Sequence, residues 1–192
     1  MSINFHNLNS DMLRFNTRRL GMRPVQLADA KLLFEATQNV HFNKHLLWRA
    51  PDTEEASLQR MHAMLTAIET GMLAAGSVIV KDTGEWVGIL RYQPVDTDSI
   101  EVGAWTHPKS WGKRHAMEFA IMGPTIPMHV TTIPAVVGRT DADNIASIRL
   151  MTLAGMEFSR KFISVGEDGV SRDSHEYALR RENWCAPKLH AE

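Results

Sequence analysis

The chain has 192 residues, 44% hydrophobic and 22% charged, which fits one globular domain with room for a sizeable core and excludes a disordered or fibrous chain. Its 21 Lys+Arg against 22 Asp+Glu give a formal charge of −1, so there is no global basic field for nonspecific nucleic-acid binding. The single cysteine, Cys185, cannot close a disulfide within the chain, and residues 1–20 hold no apolar run of the secretory kind; the expectation is a cytoplasmic protein.

Residues 1–16 show no periodicity and are expected to be an irregular extension, with 185–192 a tail, on one domain spanning 1–192. Leu20 and Met22 alternate with Arg19, Gly21 and Arg23, predicting a strand within 17–25. Asp29 starts a helix with Leu32, Leu33 and Ala36 on one face, and a loop follows over 41–50. A second helix starts near Pro51, where Asp52 can cap and Glu55 can reach back, and it continues at helical spacing to Gly71. The period then changes to two: strands over 77–80 and 86–92 flank the turn Asp82-Thr83-Gly84 as a hairpin, and 99–106 is a third strand.

A helix from about Gly112, a strand near 135–139, a helix over 144–153 and strands over 156–165 and 174–180 complete the chain. No charged residue lies between Glu118 and Arg139, but Gly123, Pro124, Pro127 and Pro134 argue against a membrane span. That stretch reads as a buried helix end, a turn and a core strand. The whole predicts an α/β protein: a mixed, mostly antiparallel sheet with helices on both faces.

Residues 100–118, IEVGAWTHPKSWGKRHAME, carry the clearest chemistry. A strand runs into a glycine-containing basic turn that opens a helix, so unpaired N–H groups and the helix dipole point at one spot. Lys109, Lys113 and Arg114 add positive potential, and the result is a plausible diphosphate cradle. The plain alternative is turn chemistry at Gly112. A nucleic-acid patch ranks low, because Trp111 is the only aromatic interleaved with the basic residues.

These features, with Thr17-Arg18-Arg19-Leu20-Gly21-Met22-Arg23-Pro24, Leu46-Leu47-Trp48, Gly84-Glu85-Trp86-Val87-Gly88, Trp111-Gly112-Lys113-Arg114-His115-Ala116-Met117-Glu118, Asn144 with Ser147, and Leu153 with Gly155-Met156, resemble the RimJ/RimL-type branch of the GNAT acetyltransferases in consistent order. The resemblance implies a GNAT-like fold whose sheet is splayed in the middle. It also implies an acetyl-CoA-dependent N-acetyltransferase that acts on a primary amine, either a protein N-terminus or a small molecule, as monomer or homodimer. Three departures stand out: Arg114 replaces a small residue in the phosphate turn, Met156 replaces a phenylalanine, and Pro124 and Pro127 fall where the family's helix is uninterrupted. That helix is therefore expected to end early or kink.

The same resemblance implies direct attack of the amine on the thioester, without a covalent intermediate; no G-x-S-x-G motif contradicts it. Ala104, Trp105 and Thr106 become candidates to pair with the pantetheine arm by β-augmentation, with Gly103 marking a bulge. The diphosphate would meet Lys109, Trp111, Gly112, Lys113, Arg114, His115 and Ala116. Glu101, the only carboxylate of its strand, is the candidate base, or else a solvated edge residue. Ser147 could protonate the leaving sulfur or serve only a capping contact, and Asn144 could cap its helix or hold the cofactor.

His45, Leu47 and Trp48 would line the acceptor pocket or merely anchor a loop. Glu118 matches the signature glutamate, whose plainer role is a local bond. Nine histidines, with His41 and His45 four apart, come without an H-E-x-x-H or Cys/His cluster, so no metal is expected. The alternative functional readings are a catalytically impaired CoA-binding or protein-interaction module, and a structural protein.

Overall fold

The computed structural model describes residues 3–113 and 115–186; Arg114 and the tail beyond 186 lie outside them. Seven strands, β1 (Leu20–Pro24), β2 (Ala74–Val80), β3 (Trp86–Pro94), β4 (Ser99–Thr106), β5 (Ala135–Asp141), β6 (Glu157–Val165) and β7 (Ser171–Arg180), form one sheet in the order β1-β2-β3-β4-β5-β7-β6. Every neighbouring pair is antiparallel except β4 and β5, which are parallel because a helical crossover joins them. The helices are α1 (Phe5–Met12), α2 (Asp29–Thr37), the single turn α3 (Val40–Asn43), α4 (Glu54–Glu69), α5 (His115–Val130) and α6 (Ile145–Leu153).

Alternation along the strands separates two cores. Leu90, Tyr92, Ile100 and Val136 face α1 and α5, joined by Phe5, Leu8, Met12, Phe119, Met122 and Ile126. On the other face, Ala75, Ile89 and Trp86 meet Ala30 and Leu33 of α2 and Met61 of α4. The expected mixed sheet with helices on both faces is the observed one. Among the described residues no helix is long and apolar enough to cross a membrane.

Three local expectations are corrected. The extension 1–16 contains α1: Asn4 caps it by accepting from the amides of His6 and Asn7, and Phe5, Leu8 and Met12 are buried along one face. Asn9 Oδ1 also accepts from the Ala75 amide, so the helix is fixed by tertiary contacts rather than by its own length. At α4 the cap is Thr53, whose hydroxyl accepts from Ala56, and not Asp52.

The third concerns α5, expected to end early or kink: it does not end early but runs through Pro124 and Pro127 to Val130. Pro127 has no N–H to give the carbonyl of Gly123, four residues back. Tyr92 of β3 supplies the missing donor, its hydroxyl lying 2.8 Å from that oxygen. Burial raises the phenol's pKa, so the hydroxyl remains a donor. At the other end Arg181 donates to the carbonyls of Met128, Thr131 and Ile133 at 2.8–3.0 Å, closing the helix C-terminus.

Tyr92→Phe keeps the ring and strips the donor from a buried carbonyl. It is expected to cost about 1–3 kcal/mol, read as a lowered urea midpoint at unchanged slope.

Candidate active site

The parallel β4–β5 ladder holds only three pairs, Ser99↔Ala135, Ile100↔Val136 and Glu101↔Val137. Beyond Glu101, β4 stays paired with β3 up to Gly88↔Thr106, and β5 stays paired with β7 up to Asp141↔Ser174. The two strands part there and leave an unladdered edge on each, so the expected splay is present.

Which β4 groups face the gap follows from the bonds at its start. Ser99 O accepts from Val95 N beside β3, and Asp98 O accepts from Ala135 N of β5. Alternation then turns the main chains of Val102, Ala104 and Thr106 toward the gap and spends that of Trp105 on Ile89. Trp105 is therefore removed from the expected main-chain set and Val102, missed in the sequence, is added. The Trp105 ring packs edge-on against Phe42 and Trp86, with centroids 5.5 and 5.2 Å away. Gly103 is not a bulge, since the β3–β4 register is unbroken; a side chain there would meet Arg91 Nε at 2.7 Å.

At the end of β4, His107 starts a 3₁₀ turn over Pro108–Ser110, its Nδ1 accepting from Lys109 N at 3.1 Å. Burial and the nearby Lys109 charge depress its pKa, which suits a neutral ring with the proton on Nε2. Trp111 N is spent on Pro108 O, and the Trp111 indole donates to Thr106 O and Oγ1 at 3.2 and 3.1 Å. Gly112 has φ of +74°, the left-handed conformation that turns the chain into α5. Among the described residues the amides of Gly112 and Lys113 have no main-chain partner, and His115 and Ala116 begin the helix.

Two basic side chains of this turn, Lys109 and Lys113, are already engaged. Lys109 lies 2.8 Å from Glu35, holding that carboxyl below its ordinary pKa, and Lys113 lies 2.7 Å from Glu85. Glu118, the signature glutamate, ties the first turn of α5 to β1: it accepts from Thr17 Oγ1, from Arg19 N at 3.1 Å and from Arg19 Nε at 2.5 Å. Burial would raise its pKa, but these hydrogen bonds and the guanidinium charge outweigh that and lower it.

Glu101 closes the crotch of the splay. Its Oε2 accepts from Arg139 Nη1 at 2.9 Å and from Gln93 at 3.4 Å, while Arg139 Nε donates to Glu176 of β7 and Arg160 of β6 bonds the same carboxylate. Oε1 of Glu101 has no partner among the described residues. This ion ladder across β4, β5, β7 and β6 was invisible in the sequence. The nearest sequence signal is a charged residue, Glu101 or Arg139, inside each of two strands.

On the β5 side, Asn144 caps α6 by accepting from Ser147 N at 3.2 Å. The hydroxyl of Ser147, half-buried, takes no part in that cap. The loop after α3 reaches this region too. His45 Nδ1 lies 3.3 Å from Asp141 and 3.4 Å from Asp143. Leu47 O accepts from Glu167 N, Arg49 N donates to Glu167 Oε2, and Trp48 packs against Phe42 with Arg60 over its ring. These contacts anchor the loop. Beside it, Lys44, His45, Asp141, Ala142, Asp143, Arg172 and Asp173 line a pocket of about 380 Å³.

The family model described as Acetyltransferase (GNAT) domain matches residues 19–157. Comparison with curated proteins finds no match. Solved structures of the same fold include a GNAT-family acetyltransferase from Bacillus anthracis, at TM-score 0.75 and 20% identity over 88% of this chain and 98% of that one. Another is spermidine N-acetyltransferase from Vibrio cholerae with CoA and spermine, at 0.72 and 11% over 86% and 97%. A third is RimL, a ribosomal L7/L12 alpha-N-protein acetyltransferase in complex with CoA, at 0.71 and 14% over 85% and 95%.

A phosphate at the turn must compete with Glu85 for Lys113, in a half-exposed pair worth little by itself. Glu85→Gln is expected to tighten binding of a diphosphate ligand such as CoA by roughly two- to fivefold, and Lys113→Ala to weaken it, both read by calorimetry.

Proposed function

Because the chain belongs to the GNAT acetyltransferase family, we propose that it transfers the acetyl group of acetyl-CoA to a primary amine, a protein N-terminus or a small molecule, by direct attack in a ternary complex. The observation that carries this reading is the parting of β4 and β5 after Glu101↔Val137 beside a turn whose Gly112 and Lys113 amides have no main-chain partner among the described residues. A slender arm bearing amide groups can add to the edge of β4 at Val102, Ala104 and the Thr106 amide, the Thr106 carbonyl being held by the Trp111 indole, and a diphosphate can meet the amides of Gly112, Lys113, His115 and Ala116. The donor set fits acetyl-CoA on these grounds.

In the reaction the amine nitrogen bonds to the thioester carbon, the carbon–sulfur bond breaks, and one proton must leave the nitrogen while one reaches the sulfur. The free Oε1 of Glu101 accepts the first through water, with Arg139 holding the carboxylate in place. Ser147 donates the second from the α6 terminus, where Asn144 forms the cap, and regains a proton through water from the Glu101 carboxyl. Binding both reactants in one gap supplies proximity; the unpaired amides favour charge developing on the thioester oxygen. His45 and the loop bearing Leu47 and Trp48 border the acceptor side.

The test is thiol release from acetyl-CoA with a panel of amines and N-terminal peptides. Turnover is expected, with Glu101→Gln and Ser147→Ala each lowering kcat by about tenfold or more at little cost in acetyl-CoA affinity. CoA binding without turnover on any amine would replace this reading with that of an inactive CoA-binding module.

A further inference from the structure

We propose that His45, Asp141 and Asp143 form a binding site for a divalent transition-metal ion of the zinc class. The donors come from two distant parts of the chain: His45 lies in the loop after α3, and the two aspartates lie at the end of β5 and in the turn into α6. One atom from each lies within 4.8 Å of the others. The separations of His45 Nδ1 from Asp141 Oδ2 and Asp143 Oδ1, 3.3 and 3.4 Å, are long for strong hydrogen bonds. They match the edge of a tetrahedron whose metal–ligand bonds are about 2.0–2.1 Å, which is about 3.3–3.4 Å.

A second observation points to a missing ligand. Asp141 is 5% exposed, and its other oxygen, Oδ1, is buried with no hydrogen-bond partner among the described residues. A buried carboxylate with an unmatched oxygen is costly, and a cation in the adjoining pocket offsets that cost. One imidazole with two carboxylates suits zinc or a neighbouring first-row ion, whereas calcium and magnesium favour all-oxygen shells. Three protein donors leave a fourth position for water.

The competing cations are weakly placed. Lys44 reaches Asp143 at 3.3 Å, but the two side chains are 59% and 69% exposed, so the lysine can swing into solvent. The guanidinium of Arg172 senses the Asp141 charge, but its hydrogen bonds go to Asp168 and to Val170 O. Asp173 adds a further negative charge to the pocket wall. A bound ion would clamp the 44–49 loop to the β5–α6 junction. The inference does not depend on acetyl transfer.

The experiment titrates Zn²⁺ into the tag-free, chelator-treated full chain by calorimetry, and Co²⁺ with its visible absorption as a reporter of geometry. One equivalent should bind, raise the melting temperature and give the intense bands of tetrahedral Co²⁺. His45→Ala and Asp141→Asn should each weaken binding more than about a hundredfold, since losing a ligand exceeds the loss of its supporting shell. Asp143→Asn, at a position whose side chain is 69% exposed, should leave the fold intact and weaken binding at least about tenfold, and Lys44→Ala should tighten it. Equal affinity in the wild type and the Asp143 variant, or no binding by the wild type, overturns the proposal.

Discussion

The arrangement of the molecule turns on how far β4 and β5 run together. Three ladder pairs bind them at one end, and from there each strand follows a different antiparallel partner, β3 or β7. The Glu101–Arg139 ion pair sits where the ladder stops, with Glu176 and Arg160 extending it across the far strands. Both carboxylates and Arg139 are largely removed from solvent, so each needs its partners to be tolerable at all. The polar ladder thus fixes the depth of the gap, and the gap decides which main-chain groups remain free to bind.

Other contacts aim the neighbouring pieces at that opening. Glu118 fastens the start of α5 to β1, and Tyr92 lets the same helix continue past Pro127 under the sheet. The turn between β4 and α5 is consequently suspended between two fixed ends, with Gly112 absorbing the change of direction. Its lysines lean on Glu35 and Glu85, and the Trp111 indole on Thr106, so a ligand exchanges contacts there rather than filling bare charge.

Local signals in the sequence carried most of the architecture: period-two strands, the hairpin at Gly84, the helix opened by Asn144 and the glycine turn before α5 all lie where the pattern puts them. What was illegible depends on partners far along the chain. Helix α1 has only three apolar anchors and is held by the sheet, and α5 survives its prolines through a hydroxyl from β3. His45 meets Asp141 and Asp143, almost a hundred residues further along the chain. Glu101 reads as a lone strand carboxylate until Arg139 is brought alongside. Arg114, the residue that departs most from the family's phosphate turn, lies outside the described residues.

The central claim is that a thiol-bearing diphosphate ligand enters between β4 and β5. Amide hydrogen exchange with and without millimolar CoA tests it most directly, because it reads the very groups at issue. Slowed exchange at Val102, Ala104, Thr106, Gly112 and Lys113, with the β6–β7 hairpin unchanged, is the predicted result. Exchange at those amides that is indifferent to CoA would contradict the account.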